Sequence, residues 1–240
     1  MPKKKLPDES FKWTPELAYV IGLLVTDGCL SKDGRHIAMR SSDIQLLKTF
    51  KKCLNLSNRI SKTLNNGWSK KPSYVLSFGN VRLYRWLLKI GLFPAKTYTI
   101  GEVKIPDEYF RDFLRGHLDG DGSVWAYKDY YNTHKNSKYI YNRLFVRFIS
   151  ASETHIKWLR ENIYKQFFIK GHTWKRLPSR QDQTTSIHEI KFAKKESIKL
   201  LNWIYYQNDL PCLERKRIIA LKAIDKISKE KRRKYTKIEI

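Results

Sequence analysis

FLRGHLDGDGS, residues Phe113 to Ser123, places two carboxylates, Asp119 and Asp121, and three glycines where an apolar helix should be ending. A carboxylate near a helix C-terminus faces the negative end of the macrodipole and a set of unpaired carbonyls, so Asp121 is uncomfortable there unless a cation is present. Gly122 is the expected C′ residue, stopping the helix in the left-handed conformation. The pattern occurs earlier in YVIGLLVTDGCL, Tyr19 to Leu30: Gly22, Asp27 and Gly28 recur as Gly116, Asp121 and Gly122, each 94 residues on. Asp-Gly is a common turn dipeptide, and one copy reads most simply as the start of a turn. Two copies at equivalent places in an internal repeat point to one shared site.

The flanking sequence repeats as well. Thr14-Pro15-Glu16 supplies an N-cap and a proline at the first helical position, launching an apolar helix to Thr26. A hairpin follows around Asp33-Gly34, with strands at Cys29–Lys32 and Arg35–Arg40. Asp43 caps a helix Ile44–Leu54, whose Leu46, Leu47, Phe50 and Leu54 fall at helical spacing. Strands Arg59–Leu64 and Tyr74–Phe78 flank a turn at Asn65-Asn66-Gly67, and a helix Val81–Ile90 ends at Gly91. The second half gives the same order: helix Tyr109–Gly120, strands Ser123–Asp129 and Tyr141–Ser150, helix Glu153–Phe167, strands Gly171–Arg176 and Thr185–Phe192, helix Lys195–Tyr206. A last helix, Leu213–Ile227, follows Pro211. The chain thus reads as a first repeat over 1–93, a linker over 94–107, a second repeat over 108–227 and a basic, mobile tail over 228–240. The fold class is α+β, with two pseudo-symmetric αββαββα repeats.

Composition narrows the partner. Lys and Arg number 48 against 23 Asp and Glu, a formal charge of +25, and 41% of residues are hydrophobic. A folded chain with such a field attracts polyanions, nucleic acid first and a membrane surface second. No apolar run approaches the roughly 18 residues needed to span a bilayer, and no signal-peptide core follows the start. The three cysteines, Cys29, Cys53 and Cys212, are far apart, so neither a disulfide scaffold nor a zinc finger is indicated and a reducing, intracellular compartment is expected. MPKKK at the start reads as a frayed basic terminus before it reads as a targeting patch.

Two helices that meet through Gly22 and Gly116 would approach closely, because no side chain separates their backbones. Their ends would then bring Asp27 beside Asp121, a like-charge pair that divalent cations relieve. Oxygen-only ligands suit Mg²⁺ better than Zn²⁺. Beside a basic surface, Mg²⁺ points to phosphodiester hydrolysis.

The stretches Val20–Gly28 and Leu114–Gly122 resemble the paired nine-residue motifs of LAGLIDADG homing endonucleases, in the single-chain form with two motifs. The likeness runs from Trp13 to about Ile227. It implies a saddle of strands over DNA, joined at the two-helix interface, and a metal-dependent double-strand break in a long, pseudo-palindromic target that leaves cohesive 3′ overhangs. It further implies a monomer serving intron or intein mobility, in an organelle, a bacterial cytoplasm or a phage-infected cell. Asp27 and Asp121 become the metal ligands, with the carbonyls of Thr26 and Gly120 beside them. Mg²⁺ is the expected ion, Mn²⁺ a substitute, and Ca²⁺ an ion that binds without supporting cleavage. Lys96 and Lys216 best match the basic residue that the family carries near the active-site water, although a solvated or phosphate-contacting role is the ordinary one for any lysine here. The sixth motif position is Val25 in one copy and Asp119 in the other, and Arg115 and His117 also depart from the motif. Asp119 reads as exposed or hydrogen-bonded, not as a third ligand. Ser41, Ser42, Ala151 and Ser152 lie where a water network or a helix cap is needed.

DNA reading is expected from alternate residues on one face of the strands. In the first half Ile37 and Met39 face the core, leaving His36 and Arg40 outward; in the second, Arg143 and Arg147 take that face. Trp125, Tyr127 and Asp129 alternate along one strand, and Trp174, Arg176, His188 and Lys191 line the last pair. For Trp125 and Trp174, packing is an equal alternative. Lys62, Lys70, Lys71, Lys170, Lys175 and Arg180 are the expected phosphate contacts. Two rival readings share the fold: an RNA maturase assisting intron splicing, which takes its own intron RNA as partner, and a non-catalytic DNA-binding regulator, which would lack one or both acids.

Overall fold

A computed structural model describes residues 11–63, 72–178 and 185–236. Its first half runs α1 (Pro15–Thr26), β1 (Gly28–Leu30), β2 (His36–Ser41), α2 (Ile44–Cys53), β3 (Ser61–Thr63), β4 (Ser73–Gly79) and α3 (Val81–Lys89). The second runs α4 (Phe110–Asp119), β5 (Ser123–Asp129), β6 (Tyr141–Ser150), α5 (Glu153–Phe167), β7 (His172–Arg176), β8 (Ile187–Phe192) and α6 (Lys194–Ile204), followed by α7 (Glu214–Thr236). Each half carries one four-stranded antiparallel sheet, ordered β1-β2-β4-β3 and β5-β6-β8-β7. The repeated element order expected from the sequence is therefore present, in an α+β fold of two equivalent halves.

α1 starts as the sequence dictates: Thr14 Oγ1 accepts from the amide of Leu17 at 3.1 Å, with Pro15 in the first helical position. Its residues Leu17 to Val25 are all buried, as befits a helix surrounded by protein on every side. α1 packs on α4, the first sheet packs against α2 and α3, and the second against α5 and α6. Ile37, Met39, Leu76 and Phe78 fill the inner face of the first sheet, and Leu144, Val146, Phe148, Ile190 and Phe192 that of the second. One apolar core runs through both halves.

The linker over 94–107 is packed: Ile100 and Val103 are buried in the core, and the Lys104 amide donates to the Ile90 carbonyl at 2.9 Å. One expectation needs correction. The charge run after Ile227 does not fray into a tail, because α7 continues to Thr236. A Lys229–Asp225 pair at 2.8 Å spans the start of this run, the i, i+4 spacing that supports an exposed helix.

Arg115, which interrupts the apolar motif, is wholly buried. Its guanidinium meets Asp112 at 2.7 Å and donates to the carbonyls of Ile204 and Pro211, both at 2.9 Å. The odd residue in the motif thus fastens the chain between α6 and α7 to α4. Arg115→Met should destabilise the protein by about 3 kcal/mol in chemical denaturation, because buried Asp112 loses its close partner and keeps only the Tyr206 hydroxyl at 3.1 Å and Arg111 at 3.8 Å.

Candidate active site

At the crossing of α1 and α4, Gly22 faces the backbone of Phe113 to His117, and Gly116 faces that of Tyr19. A Cβ at Gly116 would lie 2.0 Å from the Tyr19 carbonyl oxygen, and one at Gly22 2.2 Å from that of Phe113. The expected glycine contact is therefore in place. Further along, a Cβ at Gly120 would lie 1.9 Å from Thr26 Oγ1 and 3.1 Å from Asp27 Oδ2, so the two helix ends face each other as well. Gly122 is not left-handed, contrary to expectation, and neither is Gly28. They are required for another reason: a Cβ there would strike the preceding turn, at 2.6 Å from the Leu24 carbonyl oxygen and 2.7 Å from that of Leu118.

The crossing puts Asp27 and Asp121 within electrostatic reach of one another. Burial first, and then the charge of Asp121, pushes the Asp27 carboxyl up to about 7, while Lys216 and Lys96 pull it back. Asp121 is raised in the same way, by desolvation, against the two lysines. Both lysines are buried, at 6% and 5% exposure for Lys96 and Lys216. Lys96 Nζ donates to the Gly28 carbonyl at 2.5 Å, and Lys216 Nζ donates to the equivalent carbonyl, that of Gly122, at 2.7 Å. Lys216 also reaches the carbonyls of Leu118, Asp119 and Gly120 at 2.6, 2.8 and 3.1 Å. Burial lowers both ammonium groups, that of Lys216 to about 8. The four residues matched to the motifs and their lysines thus form two related clusters at one place.

These oxygen donors fit a hard divalent cation. Among the described residues no three His, Cys, Asp or Glu side chains gather at metal-binding range. A cation here would draw on Asp27, Asp121, backbone carbonyls such as those of Thr26 and Gly120, water and substrate phosphate, a set that suits Mg²⁺ and not Zn²⁺. A cleft of about 340 Å³ opens beside it, lined by Asp27, Arg40, Ser41, Ser42, Asp119 and Gly120 among others. Ser152 proves to be a cap: its hydroxyl accepts from the His155 amide at 3.4 Å and donates to Ile100. Asp43, not Ser42, caps α2.

The outer faces of the sheets carry most of the expected contact residues. Strand register places His36 and Arg40 on one side of β2 and the buried Ile37 and Met39 on the other. In the second sheet Ser123, Arg147, Lys191 and His172 form one cross-strand row, Trp125 pairs with Phe145, and Tyr127 with Arg143. Trp125 and Trp174 are 61% and 58% exposed, which removes the packing alternative for both. Acids already partner some of the basic residues: Arg143 meets Asp129 at 2.8 Å, Arg147 meets Glu189 at 3.3 Å, and His36 meets Asp33 at 2.5 Å.

His188 is a correction. It pairs with Ser150 and Lys175, one step out of phase with Lys191, so His188 and Lys175 point to the α5 side, where both lie near Glu153. Lys62 pairs with the core-packed Tyr74 and shares that inner parity at the sheet edge. Lys170 follows α5, its ammonium 5.7 Å from the Tyr164 ring, and is not on a strand. Arg176 shares the outer parity of Trp174. Lys70, Lys71 and Arg180 lie outside the described residues.

Asp119 takes the hydrogen-bonded alternative, and the partners of Asp119 and the pairing of His117 were not read from the sequence. Asp119 is buried, and its Oδ2 accepts from the Tyr19 hydroxyl at 2.9 Å and from the Leu213 amide at 2.7 Å. His117 stacks on His155 with Nε2 atoms 3.1 Å apart, and His155 Nδ1 donates to the Gly101 carbonyl at 2.8 Å. Burial lowers both imidazoles, that of His155 to about 4. The polar residues of the second motif, Arg115 and His117 as departures and Asp119 at the sixth position where the first copy has Val25, were the available signal, since polar side chains on a buried helix must find partners.

Residues 14–91 match the family model described as a LAGLIDADG-like domain. No curated protein matches the sequence. Among solved structures, the meganuclease I-SmaMI bound to uncleaveable DNA aligns over 92% of this chain and 92% of its own, with TM-score 0.58 at 11% identity. The I-LtrWI LAGLIDADG homing endonuclease bound to target DNA aligns over 90% and 91%, with TM-score 0.53 at 14% identity. Full-length DUF199/WhiA from Thermatoga maritima aligns over 97% of this chain and 68% of its own, with TM-score 0.52 at 18% identity. At these identities the likeness is one of fold: residues 14–91 match the LAGLIDADG-like domain model, and the chain as a whole is similar in fold to these three structures.

Proposed function

We propose that this protein is a site-specific homing endonuclease that makes a magnesium-dependent double-strand break in a long, pseudo-palindromic DNA duplex. One observation carries the reading: Asp27 and Asp121 meet at the crossing of α1 and α4 within reach of two buried lysines, Lys96 on the Gly28 carbonyl and Lys216 on the Gly122 carbonyl. The pair is costly without a cation: both carboxyls are raised, and the charge of Asp121 raises that of Asp27 further. The net charge of +25 and the exposed Arg40, Trp125 and Tyr127 on the sheets support a duplex partner. So does the fold shared with two proteins described as bound to DNA.

In this mechanism Asp27 and Asp121 would hold a divalent cation, with the carbonyls of Thr26 and Gly120 as further donors. Mg²⁺, when bound, activates water and stabilises the attacking and leaving oxygens. Lys96 and Lys216 place fixed positive charge beside the carboxylates, where it stabilises charge developing on phosphate. The outer faces of the two sheets orient the duplex about the pseudo-dyad, so the pseudo-symmetry of the protein is mirrored in its target.

The test is to incubate the protein with supercoiled plasmids carrying its insertion locus. A linear product is expected with Mg²⁺ or Mn²⁺, and a bound but uncut plasmid with Ca²⁺. Binding without cleavage at every site tried would favour a DNA-binding regulator, and tighter binding to the intron transcript than to any duplex would favour a maturase.

A further inference from the structure

The two half-sites are not built alike. In the first half Lys96 stands on a short 3-10 turn, Lys96–Tyr98, entered through Ala95 in the left-handed conformation at φ 56°. Its ammonium reaches the Gly28 carbonyl, and the residue two before Asp27 is Val25. In the second half Lys216 stands on the first turn of α7, and the residue two before Asp121 is Asp119.

The first turn of a helix presents amides that need acceptors, and a carboxylate there is doubly suited, as acceptor and as counter-charge to the dipole. Asp119 fills this place from another helix. Its Oδ2 accepts from the Leu213 amide at 2.7 Å, and the Leu213 carbonyl accepts in turn from the amides of Lys216 at 2.9 Å and Arg217 at 3.2 Å. The same Oδ2 accepts from Tyr19, on α1 of the other half, at 2.9 Å. Asp119 therefore ties α7 to the end of α4 and to α1 at a single atom. Its other oxygen, Oδ1, is buried with no partner, a cost that mere packing would not sustain, since valine fills the equivalent position in the first half.

We propose that Asp119 is a positioning residue that sets Lys216 against the end of α4, so that the centre formed by Asp121 and Lys216 depends on it and the centre formed by Asp27 and Lys96 does not. The two DNA strands are then cut by unequally supported centres. This rests on the endonuclease reading, and two independent measurements separate the proposal from it.

The first measurement needs no DNA. In hydrogen exchange, Asp119→Val should speed the amides of residues 213–217 about tenfold or more while leaving residues 96–100 unchanged, and Asp119→Asn, whose amide oxygen still accepts from Leu213, should stay close to the parent. The second uses the target duplex with each strand labelled separately. Asp119→Val should slow cleavage of one strand by roughly 100-fold, the penalty of a misplaced catalytic group, and accumulate a nicked product. Lys216→Met should slow the same strand, Lys96→Met the other, and Asp119→Asn should restore the parental strand ratio. Unchanged exchange at 213–217 in Asp119→Val, or equal slowing of both strands, would overturn the proposal. If the parent cuts no duplex, the endonuclease reading falls, and the exchange result alone decides whether Asp119 positions the Lys216 helix.

Discussion

Asp27→Asn is expected to abolish cleavage and, in the same protein, to raise the stability of the metal-free fold above pH 7. The two effects share one cause. Burial and the neighbouring Asp121 push the Asp27 carboxyl from 3.8 to about 7, so the folded state holds its proton more tightly than the unfolded chain does. Stability linked to a raised carboxylate falls as pH rises from about 4 to about 7, because the folded state must give up a proton that the unfolded state has already lost. Asparagine never ionises, and the variant loses this slope. After allowing for water in the half-buried site, the difference at pH 8 should be about 2 kcal/mol, or roughly 5 °C in melting temperature for a chain of this size. Magnesium should then raise the melting temperature of the parent more than that of the variant, since one ligand is gone. Melts at pH 5 and pH 8, with and without Mg²⁺, check both statements. A variant less stable than the parent at pH 8 without metal would show that the Asp27 carboxylate is not strained by its surroundings.

Where the sequence was informative, it was so for local physical reasons. Period-two alternation in Tyr141–Ser150 and the caps around Glu153–Phe167 were sufficient to place β6 and α5. The repeat of glycine and aspartate exposed the crossing, because only close backbone contact requires glycine at both Gly22 and Gly116. The same offset cannot find Lys216 from Lys96, since the second half has the longer insertions, and only the family likeness placed the two lysines. What remained illegible depends on contacts distant in sequence. Asp119 meets Tyr19 and Leu213, 100 and 94 residues away, and Arg115 meets Pro211 across 96. His188 was misassigned for a different reason: a strand alternates its faces strictly, so residues 188 and 191 cannot share one. The helical continuation to Thr236 was missed because high charge was read as disorder, whereas acids and bases four apart can support an exposed helix.

The largest structural penalty should follow from the smallest change, Gly116→Ala. The added methyl carbon would lie 2.0 Å from the Tyr19 carbonyl oxygen, 2.9 Å from its carbon and 3.2 Å from the Gly22 Cα. All three are backbone atoms of α1, and none can turn aside as a flexible side chain would. Relief requires the two helices to separate, which opens the core along the buried run Leu17 to Val25 and parts the ends that carry Asp27 and Asp121. A cost of about 3 kcal/mol or more is expected in urea unfolding, with loss of cleavage even in protein that remains folded. Gly22→Ala meets the Phe113 carbonyl oxygen at 2.2 Å and should behave alike. The double variant should cost less than the sum of the two, because one separation relieves both clashes. Gly34→Ala supplies the comparison: at φ 75° with no atom within 4 Å of its Cβ, it carries only the left-handed backbone penalty of about 1 kcal/mol. If Gly116→Ala costs no more than Gly34→Ala, the close crossing of α1 and α4 is wrong, and with it the pairing of the two carboxylates.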